Sequence, residues 1–117
     1  MEFIEAPAFT RTLTTYLDDE EYRLLQTALM KKPKAGAIVP ETGGFRKVRW
    51  KDPRRGKGKR GGLRVIYYYF AEEEQLWLVT LYDKDQADDL TPAEKKALRQ
   101  AITVEKAARA AVRKTQP

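Results

Sequence analysis

The residues with the most chemical potential lie in one basic stretch, "FRKVRWKDPRRGKGKRGGLR", residues 45–64. This stretch holds ten lysines and arginines and one acid, whereas the rest of the chain holds thirteen bases and sixteen acids. Such a concentration of one sign favours a polyanionic ligand, and nucleic acid above all, because each phosphate that a cation neutralises releases counterions. The alternative is a solvated loop whose charge only keeps the domain monomeric.

Arg64 is the cation of this stretch that a strand would hold in place. Residues 63–70, "LRVIYYYF", are rich in aromatic and β-branched side chains, and strand alternation puts Arg64 and Tyr68 on the same face. A guanidinium fixed on a strand can hold a phosphate bidentately. We therefore predict that Arg64 binds phosphate and that Tyr68 contacts the ligand, with a solvated surface arginine as the alternative.

The other cations extend the predicted site. Lys57 and Lys59 are spaced by glycines, so they could approach a polyanion closely. Lys84 follows the next predicted strand, and it could join Arg64 or instead form a surface salt bridge with a neighbouring aspartate. Further contacts to RNA are predicted for Arg46, Lys47, Arg49, Arg54, Arg55 and Arg60. Arg46, Lys47 and Arg49 belong to a predicted strand at residues 45–50, and protection of a strand edge is the competing explanation for these three cations.

Composition excludes several kinds of chemistry. The chain has no cysteine and no histidine, so it has no disulfide framework, no thiol chemistry and none of the usual ligands of zinc. Histidine is also the commonest general acid or base. We predict chemistry without a metal or a cofactor, in which any acid or base is Lys, Tyr, Asp, Glu or Arg.

The sequence contains no stretch that resembles a secretion signal, and no apolar run is long enough to span a bilayer. We therefore expect a cytoplasmic protein without membrane contact. A length of 117 residues suits a single domain over residues 1–117.

Two helices are predicted near the N-terminus. Phe9 and Tyr16 belong to an apolar spacing that is typical of one helix face. The stretch "LDDEEYRLLQTALMKKP", residues 17–33, reads as a second helix that Asp18 or Asp19 can cap. These two helices are expected to cover one face of a sheet.

The third predicted helix spans residues 90–114. Its start is well specified, with Thr91 at the N-cap, Pro92 at the first helical position and Glu94 completing a capping box. Apolar residues are sparse along it, so we expect it to pack lightly and to fray beyond about Glu105.

The strands are predicted around a loop rich in proline and glycine at residues 33–44. A short first strand is expected at residues 3–6. Three aromatic and β-branched runs, at residues 45–50, 63–70 and 76–82, indicate an antiparallel meander.

Taken in order, several segments resemble the RelE/HigB-type toxins of bacterial toxin–antitoxin pairs, most closely the HigB-like branch. They are "GGFRKVRW", a Gly-Lys loop, "GGLRVIYYYF", "LVTLYDK" and "DLTPAEKKALR". The resemblance implies an α+β, microbial-RNase-like fold. In that fold two N-terminal helices pack on one face of a four-stranded, mainly antiparallel sheet, and a C-terminal helix follows.

The resemblance also implies an activity. Members of the family are endoribonucleases that enter the ribosomal A site and cut mRNA without a metal, through attack of the ribose 2′-hydroxyl on the adjacent phosphate. A partner antitoxin, expected here to be a helix-turn-helix protein, blocks them. By this resemblance Arg64 contacts the scissile phosphate, Lys57 and Lys59 act as base or electrostatic clamp, and Lys84 supplies a further cation.

One departure from the family pattern leaves the base open. Some relatives carry another arginine and then a tyrosine where this chain has Asp85 and Leu90 followed by Thr91. Tyr68 and Tyr82 are possible substitutes. The alternative functions are a non-catalytic RNA- or ribosome-binding module and a basic domain whose only partner is an acidic protein.

Overall fold

The computed structural model describes residues 1–53, 62–87 and 89–115. In these residues the chain forms five strands and three helices around one sheet, which confirms the predicted α+β class. The elements are β1 (Glu2–Glu5), α1 (Pro7–Tyr16), α2 (Asp19–Lys31), β2 (Ala37–Ile38), β3 (Arg46–Trp50), β4 (Leu63–Phe70), β5 (Gln75–Asp83) and α3 (Pro92–Thr115).

The strands lie in the order β1-β5-β4-β3-β2. The pairs β3–β4 and β4–β5 are antiparallel, as the predicted meander requires. The pair β2–β3 is also antiparallel, and β1 pairs with β5 in parallel. The predicted count of four strands was one too low, because β2 lies inside the segment assigned to a loop. Two residues are too few to show the alternation by which a strand is recognised in sequence.

One face of the sheet, here called the first face, carries Val65 and Tyr67 and is covered by α1 and α2. Phe9 and Leu25 from these helices are fully buried against it. The prediction that the two N-terminal helices cover one sheet face is confirmed.

The opposite face, here called the second face, carries Arg64, Ile66 and Tyr68. The C-terminal helix α3 covers part of it, because Ile102 of α3 is buried in a core shared with Ile66 and Phe45. The remainder of the second face, around Arg64, is where the predicted ligand site lies.

The helix starts follow the predicted capping. Asp18 accepts the Glu21 N–H at 2.8 Å, and the Glu21 carboxylate accepts the Asp18 N–H at 3.2 Å. At the start of α3, the Thr91 hydroxyl accepts the Glu94 N–H at 3.1 Å, and the Glu94 carboxylate accepts the Thr91 N–H at 2.8 Å. Both helices therefore begin at residues that satisfy their first backbone N–H groups.

The end of α3 departs from the prediction. The helix continues to Thr115 instead of fraying beyond Glu105. The Arg109 guanidinium stacks on the Phe70 ring, 3.7 Å from its centroid, and bonds Glu73 at 2.9 Å and Glu105 at 2.8 Å. Arg109 therefore packs the C-terminal half of α3 against the sheet, where the sequence has few apolar side chains. None of the helices in the described part of the chain is long and apolar enough to cross a bilayer.

The turn before β3 lets α3 approach the sheet closely. Gly43 has φ +79, and a Cβ on it would lie 2.8 Å from Cγ2 of Ile102. The buried Thr42 hydroxyl donates to the Val39 carbonyl at 2.8 Å and accepts the Phe45 N–H at 3.1 Å. These bonds hold the turn in the shape that α3 packs against.

Candidate functional site

Arg64 lies in a row of three polar side chains across the second face. It pairs with Arg49 on β3 and with Tyr82 on β5. Residues directly opposite in paired strands point to the same face, with Cβ atoms about 5 Å apart. Two guanidinium groups and one phenol therefore line up across three neighbouring strands.

The neighbours of Arg64 along β4 fix its direction. Leu63 and Val65 are both fully buried in the core under α1 and α2. Strand alternation then turns Arg64 to the second face, where it is half-buried while Arg49 is exposed. The pair of cations places two positive charges side by side on the second face.

An irregularity in the β4–β5 ladder decides which residue lies opposite Arg64. The register shifts between Ile66 and Tyr67. If the register at the Tyr67 end continued unchanged, Leu81 would lie opposite Arg64. The shift brings Tyr82 there, and Leu81 enters the core under the N-terminal helices. Bulges that redirect a side chain in this way are common beside functional sites.

The hydroxyl of Tyr82 is buried, and no group in residues 1–53, 62–87 and 89–115 hydrogen-bonds to it. Burial raises the pKa of Tyr82, the nearby Asp89 carboxylate raises it further, and the Arg64 guanidinium opposes the increase. The phenol therefore keeps its proton at neutral pH. It is a hydrogen-bond donor beside a guanidinium, and an anionic oxygen is the acceptor that would suit both.

Residues 51–62 connect β3 to β4 and are here called the basic segment. The strand ends to which this segment is joined lie next to the row. Trp50 and Leu63 pair at the end of the two strands, one step from Arg49 and Arg64. The predicted site residues Lys57, Lys59, Arg54, Arg55 and Arg60 lie outside the described residues, so their roles stay predictions.

Lys84 lies at the same end of the sheet. Strand β5 neighbours β4, as predicted, and the Lys84 N–H donates to the Gly62 carbonyl at 2.9 Å. The Asp83 carboxylate holds the following turn, because it accepts the N–H groups of Asp85 and Gln86 at 2.8 and 3.1 Å. The exposed Lys84 is thus presented from a fixed turn beside the ends of the basic segment.

Tyr68 shares the second face with Arg64 but lies four residues further along β4, about 13 Å away at the rise of a strand. Its ring contacts Phe45 and Phe70, with centroids 5.3 and 4.6 Å apart, and Lys106 of α3 lies 5.2 Å from the ring centroid. Tyr68 therefore packs under α3. The structure brings Tyr82, rather than Tyr68, next to Arg64.

The three predicted cations of β3 separate onto two faces. Arg46 pairs with Tyr67 on the first face, where its Nη1 donates to the carbonyls of Gly36 at 2.8 Å and Lys34 at 3.3 Å. It holds the loop before β2 and is not brought together with Arg64. Lys47 and Arg49 lie on the second face, because they pair with two residues of that face. Lys47 pairs with Ile66, and Arg49 pairs with Arg64.

A second charged cluster lies beside the row. The Asp89 carboxylate is 3.7 Å from Nζ of Lys47 and 3.3 Å from Nζ of Lys95, and it accepts the Leu90 N–H at 2.7 Å. Burial alone would raise the pKa of Asp89, but the Leu90 N–H and the two lysines together lower it. The carboxylate is therefore ionised and links β3 to the first turn of α3.

Lys95 and Asp89 were not predicted as site residues, and Tyr82 was one of two tyrosines that could substitute for the missing one. Strand patterns show which side chains alternate, but they do not show a bulge or which residues lie opposite each other. Within the described residues, no group of three acidic side chains could hold a metal ion. No family model matches the chain.

Proposed function

We propose that the chain is the toxin of a bacterial toxin–antitoxin pair, a ribosome-dependent mRNA endoribonuclease that inhibits translation and arrests growth. The observation that carries the proposal is the row of Arg49, Arg64 and Tyr82 on the second face, beside the ends of the basic segment. A guanidinium and a protonated phenol on adjacent strands suit a single phosphodiester. The proposal puts the protein in the cytoplasm, with an antitoxin as its inhibitor.

The proposed reaction is an internal transfer at phosphorus. The 2′-oxygen forms a bond to the adjacent phosphorus, the bond from phosphorus to the 5′-oxygen breaks, and a 2′,3′-cyclic phosphate and a 5′-hydroxyl result. A base takes the 2′-proton, and the leaving oxygen gains a proton. The transition state carries extra negative charge on its equatorial oxygens, which donors already in position stabilise.

The pKa of Tyr82 decides its part in this reaction. Because burial and Asp89 raise that pKa, the phenol is protonated at neutral pH, so it can donate a hydrogen bond but is not available as a base. Arg64 and Tyr82 are the donors to the phosphate oxygens. The base is left to the lysines of the basic segment, Lys57 and Lys59, with Lys84 as an additional cation.

The test compares two arginine variants in a bacterial host and in a translating extract. Arg64→Ala removes the proposed phosphate ligand, whereas Arg11→Ala removes an exposed arginine on α1, behind the first face. Wild type and Arg11→Ala should arrest growth and cut mRNA. Arg64→Ala should cut about 10²–10³-fold more slowly, the usual effect of losing one transition-state donor.

Two outcomes would overturn the proposal. Equal cleavage by wild type and Arg64→Ala would remove Arg64 from the site. Salt-sensitive binding to ribosomes with no cleavage by wild type would favour the alternative of a non-catalytic RNA- or ribosome-binding module.

A further inference from the structure

Two lysines from different elements converge on one carboxylate beside the Arg64 row. Lys47 comes from β3 and Lys95 from α3, and their Nζ atoms lie 3.7 and 3.3 Å from the two oxygens of Asp89. The lysine side chains are 24% and 19% exposed, and that of Asp89 is 45% exposed. The ammonium groups are thus held by their surroundings, while the anion between them is the part most open to solvent.

This cluster is continuous with the proposed cleavage site. Lys47 and Arg49 point to the same face of β3, two residues and about 7 Å apart. Asp89 is close enough to Tyr82 to influence its pKa. A single strand whose phosphate lies on Arg64 and Tyr82 would therefore carry a neighbouring phosphate past Lys47 and Lys95.

The chemistry of the cluster suits a phosphodiester as well as it suits the carboxylate. A phosphodiester has the same single charge and two non-bridging oxygens, so it can take the place of Asp89 between the two ammonium groups. Partly exposed ion pairs contribute little to stability, so exchange of the carboxylate for a phosphate costs little. Release of Asp89 into water would also move a negative charge away from the incoming RNA.

We propose that Lys47 and Lys95 form a second phosphate subsite for single-stranded RNA, and that Asp89 occupies this subsite as an internal competitor until RNA displaces it. The inference rests on the proposed function, because it extends the same site by one phosphate. It adds Lys95 and Asp89 to that site and gives α3 a part in binding the substrate.

The test is the binding of a fluorescent single-stranded RNA oligonucleotide to the full chain, measured at 50 and 200 mM salt. Asp89→Asn removes the internal competitor and one negative charge, so it should bind RNA more tightly than wild type and steepen the logarithmic salt slope by about 0.7. Relative to wild type, its affinity should then gain about threefold between 200 and 50 mM salt. Asp19→Asn makes the same change of charge at an exposed position on α2 and should bind as wild type does.

Lys95→Gln supplies a second arm that keeps Asp89 in place. It should bind RNA more weakly than wild type and with a shallower salt slope, since one subsite cation is gone. The double variant with Asp89→Asn should lose most of the gain that Asp89→Asn shows alone. Far-UV circular dichroism of each variant confirms that these are comparisons between folded chains.

The two proposals fail in different ways. If Asp89→Asn binds RNA no more tightly than wild type while Arg64→Ala slows cleavage as predicted, the subsite is wrong and the proposed function stands. If wild type does not cleave mRNA, the proposed function is wrong. If Arg64→Ala cleaves as wild type does, Arg64 is not the phosphate ligand, and the basis for placing RNA across this cluster is lost.

Discussion

Removal of the Tyr82 hydroxyl should leave the fold as stable as before, or more stable, while it impairs activity. The hydroxyl is buried and has no hydrogen-bond partner among the described residues. An unsatisfied buried polar group costs about 1–3 kcal/mol. Tyr82→Phe removes that cost and keeps the ring, so the free energy of unfolding should stay level or rise by about 1 kcal/mol.

Tyr67→Phe is the matched control, because it also removes a tyrosine hydroxyl, but one that both donates and accepts a hydrogen bond. The Tyr67 hydroxyl donates to the Pro33 carbonyl at 2.8 Å and accepts the Gly36 N–H at 2.9 Å. Its loss leaves both backbone groups without that partner, at a cost of about 1–3 kcal/mol. For a chain of 117 residues, 1 kcal/mol corresponds to about 4 °C in Tm.

The assay is thermal unfolding followed by circular dichroism, together with mRNA cleavage in a translating extract. Tyr82→Phe should keep or raise Tm and cut about 10-fold to 100-fold more slowly, the worth of one hydrogen bond to a charged group. Tyr67→Phe should lower Tm by about 4–12 °C. A loss of stability in Tyr82→Phe as large as that in Tyr67→Phe would show instead that the Tyr82 hydroxyl has a structural partner.

Three further predictions concern the fold that supports the site. Gly43→Ala should lower the free energy of unfolding by about 1–3 kcal/mol in urea titrations, because φ is +79 and a Cβ would lie 2.8 Å from Ile102; an unchanged midpoint would contradict this. Arg109→Ala should cost about 1–2 kcal/mol and reduce helicity through the loss of its stacking and ion pairs; full retention of both would show that α3 holds without it. Burial and a carboxylate hydrogen bond raise the pKa of Tyr22, so the folded state keeps a proton that the unfolded chain loses above about pH 10. Stability should therefore fall as pH rises above about 10, and less so in Tyr22→Phe, whereas equal losses would refute the assignment.

Local signals were enough to predict most of the fold. The caps of α2 and α3 depend on side chains within three residues of each helix start, and the meander depends on runs of β-branched and aromatic residues. The strand β2 was missed because two residues carry no periodicity. The firm end of α3 was missed because Arg109 packs on Phe70, and a cation counts as polar in any pattern of apolar spacing.

The site was predictable only in part. Alternation on β4 groups Arg64 with Ile66 and Tyr68, as predicted, but which of the two faces α1 and α2 cover is seen only in the fold. Tyr82 could not be chosen over Tyr68, because its position opposite Arg64 depends on the register shift between Ile66 and Tyr67. The approach of Lys95 and Asp89 depends on how α3 crosses the second face, which is a tertiary contact without a local signature.

The proposed attack by the 2′-hydroxyl can be tested with an mRNA that carries a single 2′-deoxy nucleotide on the 5′ side of a mapped cut, bound to ribosomes in a purified translation system. If Arg64 and Tyr82 hold a phosphodiester that its own 2′-hydroxyl attacks, the ribose mRNA is cut at that position and the 2′-deoxy mRNA is not. Cleavage of both messages at equal rates would contradict the account.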